Sequence, residues 1–363
     1  MHCLQLTKPD GRCLTLYANH PLRAGTAAPS PFAEPLNASP HLRWHPLRGE
    51  WVTYAAYRQH RTFLPPPQYN PLAVTIDPEE PTELPNSDWD IAVFDNRFPS
   101  LSSAAEAIEA PPDLIVSTAP ASGQCEVVVF GRDQTPLGRL PLAHIELLFE
   151  VLADRTDRLA RRPEVNYVLP FENRGAEVGV TLHHPHGQIY AYPVVPPVPA
   201  RMQQLATQHY TDCGRGVLQE LIAGERSDGR RLIYEGTDAV AFVPVCARYP
   251  YEVWVAPIEP VQDFTRLTDQ QRADLARALK TVLLKYDGLW ERPFPYLMAW
   301  YQAPTDGQAH PECHLHAQFY PPYRSPDRLK YLAGTEIAAG FYAMDALPED
   351  KARELQQVEV SLQ

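Results

Sequence analysis

Residues 183–190 contain three imidazole side chains, those of His183, His184 and His186, and Gln188 follows two positions later. A proline and a glycine interrupt the run, which predicts a turn leading into a strand. On that strand His184 and His186 would share one face, because side chains two residues apart in an extended chain point the same way. Imidazole attacks and relays protons well at neutral pH, so the run is a candidate reactive site.

Three interpretations of His184 and His186 are open. The rings could be structural and bond to the backbone, although that role is more typical of a single histidine. They could bind a metal ion, but further ligands would be needed and the candidates are distant in the sequence. They could act in covalent catalysis, with one ring as the nucleophile. A histidine nucleophile suits phosphorus better than carbonyl carbon, because the phosphoramidate it forms is labile enough to pass the group onward.

The residues around the run favour phosphate. Residues 171–175 end a predicted strand just upstream, and Gly179 and Thr181 offer backbone that a phosphate could approach closely. Arg58 and Arg61 lie three apart, a spacing that can direct two guanidinium groups at one anion. Two surface arginines can also form a solvated face, so this pair alone does not decide the question.

Two stretches of the chain follow the same plan of strand, helix, strand and histidine-bearing strand. Glu126 and Glu252 open the first strands, 126 residues apart, and the histidine pairs at 184/186 and 314/316 are 130 residues apart. Matching contents at such a spacing indicate a duplicated unit. In the second helix Thr268 and Gln271 form a capping box. The order predicts an α+β fold with an antiparallel sheet flanked by helices.

The duplication divides the chain near residue 200. We expect one domain over residues 1–200, with the histidine run, and one over residues 201–363, with a degenerate copy of the motif. Residues 193–228 join the halves, with a helix near residues 201–209. The first 40 residues carry little pattern, and an edge strand or an ordered arm is expected there.

Composition excludes several classes of protein. The formal net charge of −12 argues against a general nucleic-acid binder, which needs a basic face. No apolar run approaches the roughly 20 residues of a membrane helix. The six cysteines are scattered without a Cys-x-x-Cys pair, and the first residues lack the layout of a secretion signal, so a cytoplasmic protein with reduced thiols is expected.

Several segments in the right order resemble galactose-1-phosphate uridylyltransferases, a branch of the histidine-triad superfamily. In that branch a glutamine replaces the third histidine of the triad, as Gln188 does here, and each chain carries two tandem histidine-triad-like units. The segments that carry the resemblance are residues 184–188, 44–51, 171–176, 294–296 and 316–322.

The resemblance implies a two-step transfer. His186 is the nucleophile that takes UMP from UDP-glucose and releases glucose 1-phosphate. Galactose 1-phosphate then attacks the uridylyl-His186 intermediate and leaves as UDP-galactose. The backbone carbonyl of His184 orients the nucleophilic ring, and Gln188 bonds to the transferred phosphoryl group through its amide. The family's nucleotide-binding positions match Arg58, Arg61, Asn96, Arg97, Asn173, Gly179 and Thr181, with Arg97 standing where aspartate is frequent.

The resemblance also implies a homodimer with shared active sites. In the family a C-terminal segment of the partner subunit reaches the hexose. The matching residues here are Lys330, Tyr331, Ala333, Thr335 and Glu336, where a tyrosine usually stands in place of Thr335.

The family's metal sites are largely missing from the sequence. Zinc is bound there by a Cys-x-x-Cys pair, a distant histidine and the match of His184, but residues 68–73 contain no cysteine and residues 133–135 replace the distant histidine. A second site uses one glutamate and three histidines. One ligand of four cannot hold a metal, so we expect neither a metal nor another cofactor. The positions of that second site match Met202, Tyr301, His316 and Gln318.

Two other functions remain open. A related nucleotidyltransferase, such as an ADP-sugar or diadenosine polyphosphate phosphorylase, would use the same His186 chemistry with adenylate. A nucleotide-sugar sensor that binds without turnover belongs to a different class, and it would not need a nucleophile.

Overall fold

The computed structural model describes residues 1–36, 38–60, 69–110 and 112–362. It confirms the α+β class, with helices packed on a large antiparallel sheet. The described part of the chain forms six α-helices: α1 Leu142–Ala160, α2 Pro197–Cys213, α3 Val217–Asp228, α4 Asp269–Leu289, α5 Gly334–Ala339 and α6 Pro348–Gln356.

The strands are short and mostly belong to one sheet. In chain order they are β1 His2–Thr7, β2 Cys13–Ala18, β3 His41–His45, β4 Glu50–Tyr54, β5 Ile91–Asp95, β6 Thr118–Pro120, β7 Gln124–Val129, β8 Tyr167–Arg174, β9 His186–Tyr192, β10 Leu232–Glu235, β11 Ala239–Phe242, β12 Trp254–Pro257, β13 Tyr296–Tyr301, β14 His316–Tyr320, β15 Tyr323–Ser325 and β16 Arg328–Leu329.

Eleven strands form a continuous antiparallel sheet in the order β1-β2-β5-β7-β9-β8-β13-β14-β12-β11-β10. The first six belong to the N-terminal half and the last five to the C-terminal half. They meet where β8 pairs with β13, with Phe171 opposite Ala299. The two units therefore share one sheet. The domain boundary expected at residue 200 lies inside the first turn of α2 and stays a prediction.

Helices α1 and α4 cover one face of this sheet and contact each other across the junction of the units. Leu148 and Leu152 of α1, and Leu275 and Leu279 of α4, are buried in a core that also includes Trp300 of β13. The predicted capping box at Thr268 is present, because its hydroxyl accepts from the backbone of Gln271 and the Gln271 side chain accepts in return. Among the described helices none is long and apolar enough to cross a membrane.

Several boundaries differ from the sequence prediction. The helix expected near residues 201–209 spans Pro197–Cys213, and α3, which follows it, was not predicted. The second-half strand expected from residue 251 begins only at Trp254, because the buried carboxylate of Glu252 accepts backbone N–H groups of a turn at residues 248 and 249. The expected N-terminal edge strand is present as β1 of the β1–β2 hairpin.

At the junction of the units, the carboxyl group of Glu172 is buried and has no ion pair among the described residues. Glu172 of β8 points under the helices, where the hydroxyl of Tyr296 donates to its Oε2 at 2.9 Å. Burial raises the pKa of Glu172 to about 7, although Arg174 and the Tyr296 hydrogen bond oppose the shift. The folded protein therefore binds this proton more tightly than the unfolded chain does.

This burial predicts a pH dependence of stability. Between about pH 4.5 and pH 7 the folded state holds a proton that the unfolded state has lost, so the free energy of unfolding falls as pH rises, by about 3 kcal/mol, and then levels off. Glu172→Gln should remove this contribution. Urea unfolding at about pH 5 and about pH 8 would measure it, with exposed Glu109→Gln as the control. An unchanged pH dependence in Glu172→Gln would contradict the assignment.

Candidate active site

Strand β9 holds the reactive residues in the interior of the sheet. It pairs with β7 on one side and β8 on the other, placing His186 opposite Val129 and Gln188 opposite Phe171. Residues along it alternate between full and partial burial. His186 and Gln188 therefore face away from helices α1 and α4. His184, which was expected to share a face of this strand with His186, lies before the strand begins.

The ring of His186 is oriented by the backbone of His184. Nδ1 of His186 lies 2.7 Å from the carbonyl oxygen of His184. A carbonyl can only accept, so Nδ1 must carry the proton and Nε2 keeps its lone pair. Burial lowers the pKa of His186, although the bond to His184 opposes the shift. The ring is thus held in the neutral form with a nucleophilic nitrogen available.

His184 itself is buried, and both of its ring nitrogens are occupied. Nε2 donates to the carbonyl oxygen of Gly131 at 3.0 Å, so Nδ1 accepts from the side-chain amide of Asn70 at 2.9 Å. Burial lowers the pKa of this imidazole as well. The ring is fixed at both ends and positions the carbonyl that His186 needs. His183, by contrast, is exposed.

His186 and Gln188 line a cavity of about 240 Å³ on the face of the sheet opposite α1 and α4. Of the predicted site residues, Arg61 lies outside the described residues, and His184 is not part of the cavity lining. The structure brings the other predicted residues together along the same wall, namely Arg58, Asn96, Arg97, Asn173, Gly179 and Thr181.

Individual lining residues are fixed in different ways. Arg58 donates to the carbonyl of Phe98 at 2.6 Å, which holds its guanidinium at the cavity edge. The side-chain oxygen of Asn96 accepts from the backbone of Phe98, leaving the amide nitrogen of Asn96 for other partners. Gly179 adopts a left-handed φ of +82° in open space, so its conformation and not crowding calls for glycine.

Asn173 offers an unused polar group. Its side-chain oxygen is buried and has no hydrogen-bond partner among the described residues. A buried amide without partners is costly, so this group is suited to binding a ligand. The oxygen and nitrogen of such an amide are assigned from the surrounding network, and either end can serve a nucleotide.

The cavity also contains residues that the sequence analysis missed. Phe32 packs edge-on against Phe98 on one side, and Tyr69 and Glu83 complete the wall. These residues carry no motif, and only the folded chain brings them near β9.

The predicted hexose-binding segment does not reach this cavity within one chain. Lys330 lies 3.6 Å from Glu336, and Glu336 accepts from the backbone of Ala333 and the hydroxyl of Thr335. Tyr331 beside them is 73% exposed. Lys330 and Glu336 are buried, whereas residues 331–335 between them are exposed.

The second unit repeats the histidine motif, but in a closed form, in which another side chain of the motif already occupies the free ring nitrogen. Nδ1 of His316 lies 2.7 Å from the carbonyl of His314, as in the first unit. Here, however, the amide of Gln318 lies 3.1 Å from Nε2 of His316, and Tyr320 donates to the other end of that amide at 2.7 Å. All three motif residues are buried. Burial lowers the pKa of both histidines to about 4.

The positions that hold metals in the family do not suit a metal here. Both ring nitrogens of His184 are engaged by an amide and a carbonyl. At the second site Tyr301 bonds to Tyr320 at 2.7 Å, and Gln318 occupies the nitrogen of His316. Among the described residues, neither set of positions belongs to a group of three or more ligand-type side chains such as zinc or iron requires.

Two family models match successive parts of the chain. The family model described as the N-terminal domain of galactose-1-phosphate uridyl transferase matches residues 31–196, and its C-terminal counterpart matches residues 201–362. A galactose-1-phosphate uridylyltransferase of Thermotoga maritima is 35% identical, covering 88% of this chain and 99% of the relative. One of Streptomyces lividans is 34% identical, covering 86% of each.

A solved uridylyltransferase structure is similar in three dimensions as well. It superposes with a TM-score of 0.78 at 30% identity, covering 88% of this chain and 98% of that one. The residues matched by the two family models include the histidine motif and every strand of the eleven-stranded sheet except β1 and β2. The chain therefore belongs to the galactose-1-phosphate uridylyltransferase family.

Proposed function

We propose that this protein transfers UMP from UDP-glucose to galactose 1-phosphate through a covalent uridylyl–histidine at His186. The observation that carries the proposal is the 2.7 Å bond from Nδ1 of His186 to the His184 carbonyl, which leaves Nε2 as a nucleophile. Arg58 and Gln188 line the same cavity as His186, so a phosphate bound there would lie beside the nucleophilic nitrogen.

In the first step Nε2 of His186 attacks the α-phosphorus of UDP-glucose. An N–P bond forms, the bond to the bridging oxygen breaks, and glucose 1-phosphate leaves with the electron pair. The imidazole becomes cationic, and the carbonyl dipole of His184 at Nδ1 stabilises that charge. In the second step a phosphate oxygen of galactose 1-phosphate attacks the same phosphorus, the N–P bond breaks, and UDP-galactose leaves. No proton needs to be gained or lost.

Gln188 suits the intermediate because its amide donates a hydrogen bond without being an acid. An acid at this place would promote loss of the group to water. Within the described chain no hydrogen bond occupies the Gln188 amide, so it is available for a phosphoryl oxygen. Arg58 supplies positive charge for the phosphates at the cavity edge.

The remaining features of the proposal follow the family. We propose a cytoplasmic homodimer in which the segment from Lys330 to Glu336 completes the partner's hexose site. The exposure of residues 331–335 supports this arrangement. We also propose that transfer needs no metal or other cofactor, which the hydrogen bonds around His184 support.

Labelling tests the covalent step and the nucleotide. Protein incubated with UDP-glucose labelled in the α-phosphate should become labelled at His186, while ADP-glucose labelled in the same way should not transfer. His186→Gly should lose at least about a thousandfold in exchange and still bind nucleotide. His183→Ala, which changes an exposed imidazole, should behave like wild type.

Peptide mapping of the label adds a second measurement. The closed motif predicts no label on His316, because its Nε2 is occupied by Gln318. Label only from ADP-glucose would favour the related phosphorylase activity. Binding without any label would favour a sensor.

Metal analysis tests the cofactor proposal. Protein purified without chelators should contain far less than one zinc or iron per chain and keep its activity after treatment with EDTA. Near-stoichiometric metal together with EDTA-sensitive transfer would contradict the proposal. Two groups of ligand type exist elsewhere, and the variants Cys213→Ser and Cys313→Ser would then locate the ion.

Mixed subunits test the shared site. His186→Gly lacks the nucleophile but keeps an intact C-terminal segment. Glu336→Gln keeps the nucleophile but has an altered C-terminal segment. If sites are shared, one site of the mixed dimer has both intact parts, and co-expression should restore up to about half of the activity per dimer. Light scattering should give a dimer. No recovery in a confirmed mixed dimer would show that each chain completes its own site.

A further inference from the structure

The turn of the N-terminal hairpin carries buried charges. Hairpin turns are normally exposed, yet Lys8, Asp10 and Arg12 between β1 and β2 are each only 2% exposed. Residues 1–30, which contain this hairpin, lie outside the ranges matched by the family models. Buried charged groups persist only when they are paired, so the turn must meet partners elsewhere.

Those partners lead to the wall of the cavity. Lys8 lies 2.7 Å from a carboxylate oxygen of Glu83, and Arg12 contacts both oxygens of Glu83 at 2.8 and 3.1 Å. Arg12 also pairs with Asp10 at 2.7 Å. Glu83 lines the same cavity as His186. The hairpin turn is thus connected to the substrate cavity by direct ion pairs.

Asp10 connects the network to Arg97. Nη1 of Arg97 lies 3.7 Å from Oδ2 of Asp10 and donates to the carbonyl of Glu34 at 3.0 Å. The guanidinium also lies over the ring of Phe32, 4.7 Å from its centroid. These three contacts fix one end of the guanidinium. Within the part of the chain that the structure describes, no hydrogen bond occupies its Nη2.

The charges in this network do not balance. Three cations, Lys8, Arg12 and Arg97, meet two carboxylates, those of Asp10 and Glu83. Arg97 has the longest ion-pair distance of the three and lines the cavity. The excess positive charge therefore faces the space where a ligand binds, and an anion with acceptor oxygens would compensate it.

We propose that Asp10 is a positioning residue that holds the Arg97 guanidinium in the cavity for the nucleotide sugar. A guanidinium has donors only, and a nucleotide sugar offers phosphate and ribose oxygens as acceptors. The N-terminal hairpin then contributes to substrate binding through Asp10. The inference rests on the proposed function, because it assigns the same cavity to a nucleotide sugar.

Steady-state kinetics test the inference. The initial rate of glucose 1-phosphate release is measured against UDP-glucose concentration, with galactose 1-phosphate present at a fixed saturating concentration so that the enzyme turns over, for wild type, Asp10→Asn, Arg97→Met and the double variant. Each single variant should raise KM by about three- to tenfold, with kcat within about twofold, because the contact acts on binding. If Asp10 affects substrate binding through Arg97, the double variant should match Arg97→Met.

A matched control separates positioning from general destabilisation. Glu225→Gln removes a buried carboxylate that pairs with Arg231 at 2.8 Å in the other unit. It should lower the midpoint of thermal unfolding without changing KM. If Asp10→Asn does not fold, Arg97→Met alone still decides, since an unchanged KM there overturns the inference.

Two further outcomes overturn the inference. One is an unchanged KM in an active Asp10→Asn. The other is a pair of KM effects that multiply in the double variant, which would mean that Asp10 acts independently of Arg97. Failure of the proposed function is distinguishable, because wild type would then release no glucose 1-phosphate at all.

Discussion

The hydrogen bond between His186 and the carbonyl of His184 is the constraint on which the site depends. It settles which ring nitrogen carries the proton and where the other one points. The carbonyl is held in place because the ring of His184 is bonded at both ends, to Gly131 and to Asn70. A buried histidine that does no chemistry thus determines the state of the one that does.

The sheet also fixes the position of His186. Strand β9 is paired on both sides, and a side chain at Gly187 would lie 3.0 Å from the ring of Phe130 and 3.1 Å from the carbonyl of Phe171. Glycine therefore allows this close approach beside the reactive residue. The second unit shows that the bond from Nδ1 to a backbone carbonyl does not by itself leave the other ring nitrogen free. There the amide of Gln318, which also accepts a hydrogen bond from Tyr320, occupies the equivalent imidazole nitrogen of His316.

The sequence predicted features that depend on local chemistry. Alternation along β9 and the capping box of α4 depend on residues within a few positions of each other, and both are present. The grouping of Arg58 and Asn173 beside His186 was expected only through the family resemblance. Phe32 and Asp10 carried no signal, because their roles arise from contacts far along the chain, and a charged hairpin turn is normally exposed. The closed state of His316 also depends on neighbours that no spacing reveals.

The division between sheet and loops has a consequence for how such proteins diverge. His186 lies on an interior strand whose register is fixed by two neighbours, whereas much of the cavity wall comes from segments outside the sheet, among them residues 31–32, 71–72 and 179–182. Changes in those segments can alter the shape of the cavity while leaving Nε2 of His186 in place. The position of the imidazole and the lining of the cavity can therefore change separately, and Arg97, which lines the cavity from outside the strands, belongs to the second part.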